Sequence, residues 1–304
     1  LFARSITRRC CLPSGWDGLN LLAYNNSVYL NSDLVNHSNP PLQYYLAAAS
    51  FWLLGESDIS ARLPFVLISI FTIPLVYLVV VVLTKNKVLA LLSVLALSLS
   101  VPFVLYAYQA KYYALIIFLG MAFFYNAYTL SAKKGNLKIV ALVASGALYI
   151  YSHYISFVVF YIAVFAALSI DLAVQRKRSE LQQFIVGYLL SGFSIGMLFL
   201  PWFLYFQPFA YRAEVQMPSL MAFISRLPAQ IVEGISYFNH HNAFPVVLLP
   251  LLLFVLFRNQ RSDNVRRVLW MLTILVFTYL SLMGALTLII RADNPFTAVR
   301  FNVV

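Results

Sequence analysis

Long apolar runs alternate with short polar breaks along this chain. The runs cover roughly 62–83, 88–105, 109–130, 138–152, 154–171, 184–206, 243–257 and 268–290. Most approach the ~17–25 residues that cross a bilayer as a helix. A further apolar stretch at about 41–54 is too short to span. It is expected to lie along the membrane surface and to stop at Gly55, a residue suited to helix ends. Strands of a membrane β-barrel would instead read as ~10-residue alternations, and that pattern is not seen. The fold class predicted is therefore all-α and polytopic, with a first loop at 1–61 and a bundle of about eight helices at 62–304. Loop 207–242 carries its own apolar pattern, LMAFISRLPAQIVEGISYF, which reads as one or two helices lying on the membrane. Leu1 and Val304 interrupt the pattern, so a fragment lacking terminal helices is expected.

Composition agrees. Hydrophobic residues make up 62% and charged residues 10%, against about 25% charged in a soluble domain. Arg4, Arg8 and Arg9 follow no apolar run, so no signal-peptide pattern is visible over these residues. Cys10 and Cys11 are adjacent, a spacing whose bridge would be strained.

Lysine and arginine outnumber the acids by 21 to 10. The surplus falls in one set of short loops, at Lys85, Lys87, Lys133, Lys134, Lys138, Arg176, Lys177, Arg178, Arg258, Arg261, Arg266 and Arg267. Such loops face the cytoplasm. The basic charge is thus an orientation signal, and no nucleic-acid partner is needed. The other set of loops holds all four histidines (His37, His153, His240, His241) and seven of the ten acids. Groups capable of chemistry are expected on the extracytoplasmic face.

Asp17, in SGWDGLN, follows Pro13-Ser14-Gly15 and the interface-seeking Trp16. It can cap a helix over 18–25, or accept a proton from an incoming hydroxyl. Tyr108, Lys111 and Tyr112 stand at i, i+3 and i+4, which on a helix shares one face. A cation between two phenols suits a phosphate; a lysine snorkelling beside an aromatic belt has the same spacing. His153 occupies a tight turn, where a carbonyl partner is the ordinary role. His240-His241 lacks a spaced third metal ligand. Arg62 opens a helix containing Pro64, and Arg300 lies in the last outer segment, each where a cation meets an anion. In NHSNPPLQYYL (36–46), His37 and Asn39 precede a stiff proline corner and a Tyr-rich helix.

Several of these pieces occur in an order that resembles the GT-C membrane glycosyltransferases. The bacterial branch in question is related to dolichyl-phosphate-mannose protein mannosyltransferases and lipid A aminoarabinose transferases. SGWDGLN is similar to that family's first-loop acid motif, and HSNPPLQYYLAAASFWLLGES to its His-Pro-Pro-Leu-Tyr-Tyr segment. SARLPFVLISIFTIPLVYLV resembles its Arg-Leu-Pro helix, and YAYQAKYYAL its Tyr-x-x-x-Ala-Arg-x-Tyr-Ala-Leu stretch. YIYSHYISF, LPWFLYF and AVRFNVV resemble its Tyr-x-His-Tyr turn, its Pro-Trp turn and a later Arg-Tyr-Leu.

The resemblance implies a polyprenyl-phosphate sugar donor and a lipid, glycan or protein acceptor. It implies a bacterial inner-membrane location with the active side extracytoplasmic. It implies Asp17 as the catalytic base, with Lys111, Tyr108, Tyr112, His37, Asn39, His153, Arg62 and Arg300 around the substrate. No cofactor is assigned. A divalent metal beside Asp17 is the alternative, but Gly18 stands where many relatives carry a second acid. Two rival readings are an inactive GT-C-like subunit of a larger membrane complex and a transporter or flippase of lipid-linked substrates. A transporter needs a polar path, yet the inner halves of these helices hold few ionisable residues.

Overall fold

A computed structural model describes residues 40–132, 135–206, 221, 225 and 263–290. Among these residues the ordered elements are helices, with no strand. They are α1 (Leu42–Leu54), α2 (Asp58–Thr84), α3 (Lys87–Ser98), α4 (Val101–Ala107), α5 (Tyr113–Ala132), α6 (Asn136–Ile150), α7 (Tyr154–Val174), α8 (Arg178–Phe206) and α9 (Asp263–Ile290). Helices α2, α5, α7 and α8 are each long and apolar enough to cross a membrane. The chain is an all-α polytopic membrane protein.

Short turns make consecutive helices antiparallel neighbours. Helix α5 packs against α2, α6 and α7; α6 packs on α8, and α9 lies along α7. Phe65, Phe123, Leu142, Tyr149, Ala163 and Tyr188 are wholly buried where these helices meet. Helix α1 leans on α2 and stops at Gly55, which takes φ 80°. Tyr161 and Tyr188 tie α7 to α8 reciprocally, each hydroxyl donating to the other's carbonyl at 2.9 and 2.8 Å. Gly192 makes room for the Tyr161 ring, because a Cβ there would collide with its hydroxyl. Outside the bundle Leu67, Phe71, Phe193 and Leu198 are exposed, as lipid-facing side chains should be.

Several boundaries differ from the sequence expectation, each for a local reason. Helix α2 begins at Asp58 rather than 62, because Ser57 and Ser60 form a reciprocal cap. The Ser57 hydroxyl accepts from the Ser60 N–H at 3.1 Å, and the Ser60 hydroxyl accepts from the Ser57 N–H at 2.9 Å. The run expected as one helix over 88–105 is two, α3 and α4, parted at Leu99–Ser100. Pro102 lacks the N–H that would reach back to Ser98, which suits it to the first turn of a new helix capped by the extended Ser100. The next helix starts at Tyr113 rather than 109. Helices α7 and α8 extend so far toward each other that only residues 175–177 join them. The expected span at 243–257 lies outside the described residues. So does loop 207–242, save Met221 and Ser225, which are helical.

The lysine- and arginine-bearing turns gather at one end of the bundle, called the basic end below. Lys85 there adopts φ 57°, and Asn86 caps α3 by accepting from the Val88 and Leu89 N–H groups at 2.9 and 3.1 Å. Lys138 donates to the Thr129 carbonyl at 2.6 Å, placing a cation near the negative end of α5. Arg267, early in α9, makes a two-pronged pair with Asp171 near the end of α7, at 2.8 Å from Nε and 2.6 Å from Nη2.

Candidate functional site

The candidate site lies at the opposite end, where the described part of the proline corner, the start of α2, the turn 108–112 and the turn 151–153 lie. Pro40 and Pro41 are buried. Neither has an N–H, so Leu42 supplies the first backbone donor after the corner. It donates to the Tyr151 carbonyl at 3.2 Å, joining the start of α1 to the turn that carries His153.

His153 caps α7. Its Nδ1 accepts the Ser156 N–H at 3.1 Å, so the neutral ring carries its proton on Nε2 and that edge donates. The side chain is buried, and its ring centre lies 4.9 Å from that of Tyr112. Tyr112 stands 4.7 Å from Tyr113, which stands 4.4 Å from Tyr106. The result is a ladder of rings running from the α6–α7 turn to the end of α4. On the other side of the same turn, the Arg62 guanidinium carbon lies 4.3 Å from the centre of the exposed Tyr108 ring. Such cation–ring contacts hold a guanidinium in place while leaving its N–H groups able to donate.

Residues 108–112 are not helical, so Tyr108, Lys111 and Tyr112 do not share a helix face. The Lys111 N–H instead donates to the Gln109 carbonyl at 2.8 Å, and Lys111 is exposed two residues before α5 begins. Nothing in YQAKY breaks a helix. The partners that take up its rings, Arg62 and His153, come from α2 and the α6–α7 turn. The structure therefore brings Arg62 to Tyr108 and Tyr112 to His153, with Lys111 in the peptide between them. Lys111 also neighbours the positive end of α5.

Asp17, His37, Asn39 and Arg300 lie outside the described residues, as do His240 and His241. Among the described residues, no three His, Cys, Asp or Glu side chains gather as a cation would need.

Two contacts at this end were not anticipated. Trp202 Nε1 donates to the Tyr154 hydroxyl at 2.8 Å, and the Tyr151 hydroxyl donates to the Leu198 carbonyl at 2.9 Å. Helix α8 runs on through Pro201 to Phe206, so LPWFLYF is not a turn. The available signal was the density of Tyr and Trp at helix ends, which marks a membrane interface without naming partners. Burial pushes the Tyr45 and Tyr151 hydroxyls above the usual phenol range, which keeps both protonated as donors.

The dolichyl-phosphate-mannose-protein mannosyltransferase family matches residues 38–206. The chain belongs to that family. The matched stretch contains Arg62, Tyr108, Lys111, Tyr112 and His153 together with the whole ring ladder. An uncharacterized protein of Aquifex aeolicus (strain VF5) is 32% identical over 125 residues. That stretch is 40% of this chain and 23% of the relative, so the alignment spans about a quarter of the relative's length. No solved structure matches.

Proposed function

We propose that the chain is an integral-membrane glycosyltransferase acting at the extracytoplasmic face. It moves a sugar from a polyprenyl-phosphate donor to an acceptor hydroxyl on a lipid, glycan or protein, with inversion. The observation that carries this reading is the family match over 38–206, together with Arg62 and Lys111 at the end opposite the basic turns. Cations placed there neutralise the charge that grows on the departing polyprenyl phosphate. In the proposed step Asp17 takes the acceptor proton while that oxygen bonds to the anomeric carbon. The bond from that carbon to the phosphate oxygen breaks, and the lipid leaves with the electron pair. Lys111, Tyr112 and Arg300 receive its phosphate. Tyr108 and Arg62 flank them, and His37, Asn39 and the Nε2 edge of His153 are the remaining candidates to contact substrate.

Asp17→Asn is expected to lower turnover on a polyprenyl-phosphate sugar by about 10²–10⁴-fold while the protein stays folded. Unchanged turnover would remove Asp17 from the base role. Lys111→Ala should weaken donor binding by roughly tenfold or more, the scale of one charged hydrogen bond. Gly18, in place of a second acid, supports a second reading, an inactive subunit. Co-purification with stoichiometric partners and no turnover on any donor would favour it.

A further inference from the structure

At the basic end, far from the ring ladder, α7 and α9 line a half-open cavity of about 670 Å³. That volume falls in the range of pockets that hold small molecules, ~300–1,000 Å³. Its lining is of two kinds. One edge presents Arg266 and Arg267; the wall is made by Ile170, Val174, Trp270 and Ile274. Trp270 is 58% exposed and Val174 78% exposed, so the wall continues onto the outer surface of the bundle.

Arg267 is fixed before any ligand arrives. Asp171, whose side chain is only 8% exposed, takes the Nε and Nη2 edge of its guanidinium. The Gln175 amide donates to the same carboxylate at 2.9 Å. The planar fork therefore keeps its Nη1 edge turned away from Asp171. Glu180 pairs with Lys177 at 3.0 Å, and a third acid, Asp263, opens α9 three residues before Arg266. Five cations at this end (Arg176, Lys177, Arg178, Arg266 and Arg267) against three acids (Asp171, Glu180 and Asp263) leave the local balance positive.

We propose that this cavity binds an anionic glycerophospholipid, its phosphate against Arg266 and Arg267 and its acyl chains along Trp270, Val174 and Ile170. Charge complementarity selects the occupant. An apolar wall alone would accept any lipid chain, whereas paired arginines at its rim favour a headgroup with net negative charge. The inference does not depend on the glycosyltransferase reading, since it concerns the other end of the bundle.

The test uses the full chain, delipidated in neutral detergent, with the melting midpoint followed as additives are titrated. Phosphatidylglycerol is expected to raise the midpoint; phosphatidylcholine and inorganic phosphate are not. Arg266→Gln should weaken the apparent phosphatidylglycerol affinity about fivefold, the factor of one arginine beside an anionic lipid. Trp270→Ala should weaken it as well, while Lys87→Gln, an exposed cation in a different turn, should leave it unchanged. Equal stabilisation by phosphatidylcholine would reduce the site to a greasy surface and overturn the proposal. Equal stabilisation by inorganic phosphate would make it a free-anion site and overturn it too. So would unaltered phosphatidylglycerol affinity in both Arg266→Gln and Trp270→Ala. Arg267 is left intact in these variants because its loss would strand the Asp171 carboxylate.

Discussion

The two ends of this bundle hold their polar groups in different ways. The basic end relies on charge: a carboxylate near the end of α7 grips a guanidinium from α9, remote in sequence, at 2.6 Å. The opposite end relies on rings, hydroxyls and backbone groups, with His153 used as a helix cap and Arg62 resting on a phenol. A buried ion pair locks its partners, because neither charge can be left alone in an apolar setting. Contacts between rings and cations are individually weaker, so they can be exchanged for a ligand at modest cost. Rearrangement is therefore easier at the ring-lined end. A donor phosphate can borrow Arg62 from Tyr108 far more readily than anything can borrow Arg267 from Asp171.

The largest effect is expected at Asp171. Asp171→Ala is expected to cost about 2–3 kcal/mol in thermal or detergent unfolding. That is below the ~3–5 kcal/mol of a fully buried pair, because the Arg267 side chain remains 36% exposed. Adding Arg267→Met should recover much of the loss. A single variant that melts like the parent would show that charge does not hold the basic end.

His153 gives the next effect. His153→Ala should cost about 1 kcal/mol through loss of the α7 cap, whereas His153→Asn should keep stability because asparagine caps well. If His153→Asn also keeps turnover, the imidazole is architecture; if turnover falls alone, its Nε2 edge touches substrate. The smallest effect belongs to Arg62→Met, with about 0.5 kcal/mol or less in stability. Its signature is a weaker donor affinity at nearly constant melting temperature. A large stability loss would mean that the site end is as rigidly charged as the other.

Much of the architecture was legible because a bilayer enforces long apolar runs and a sharp division of charge. Gly55 ended α1 as expected, and the proline corner opened it one residue from the anticipated position. The break between α3 and α4 was legible in principle from Pro102, but the continuous apolar pattern on both sides masked it. The turn at 108–112 was not legible. Its five residues contain no breaker, and what bends them lies 40 or more residues away in the chain, at Arg62 and His153. The Asp171–Arg267 pair was hidden for a related reason: each residue reads as part of a charged loop until α7 is seen to extend to Val174. Of the candidate site residues, Arg62, Tyr108, Lys111, Tyr112 and His153 lie together at the end opposite the basic turns, while the contacts among them needed the fold.

The pin between the proline corner and the His153 turn has one more consequence. It runs from the Leu42 N–H to the Tyr151 carbonyl, main chain to main chain. Side-chain exchange at either position leaves both atoms in place, so this joint does not depend on the side chains of residues 42 and 151, even though the Tyr151 hydroxyl is held separately by Leu198. One replacement alone would delete the donor itself: a third consecutive proline, at position 42.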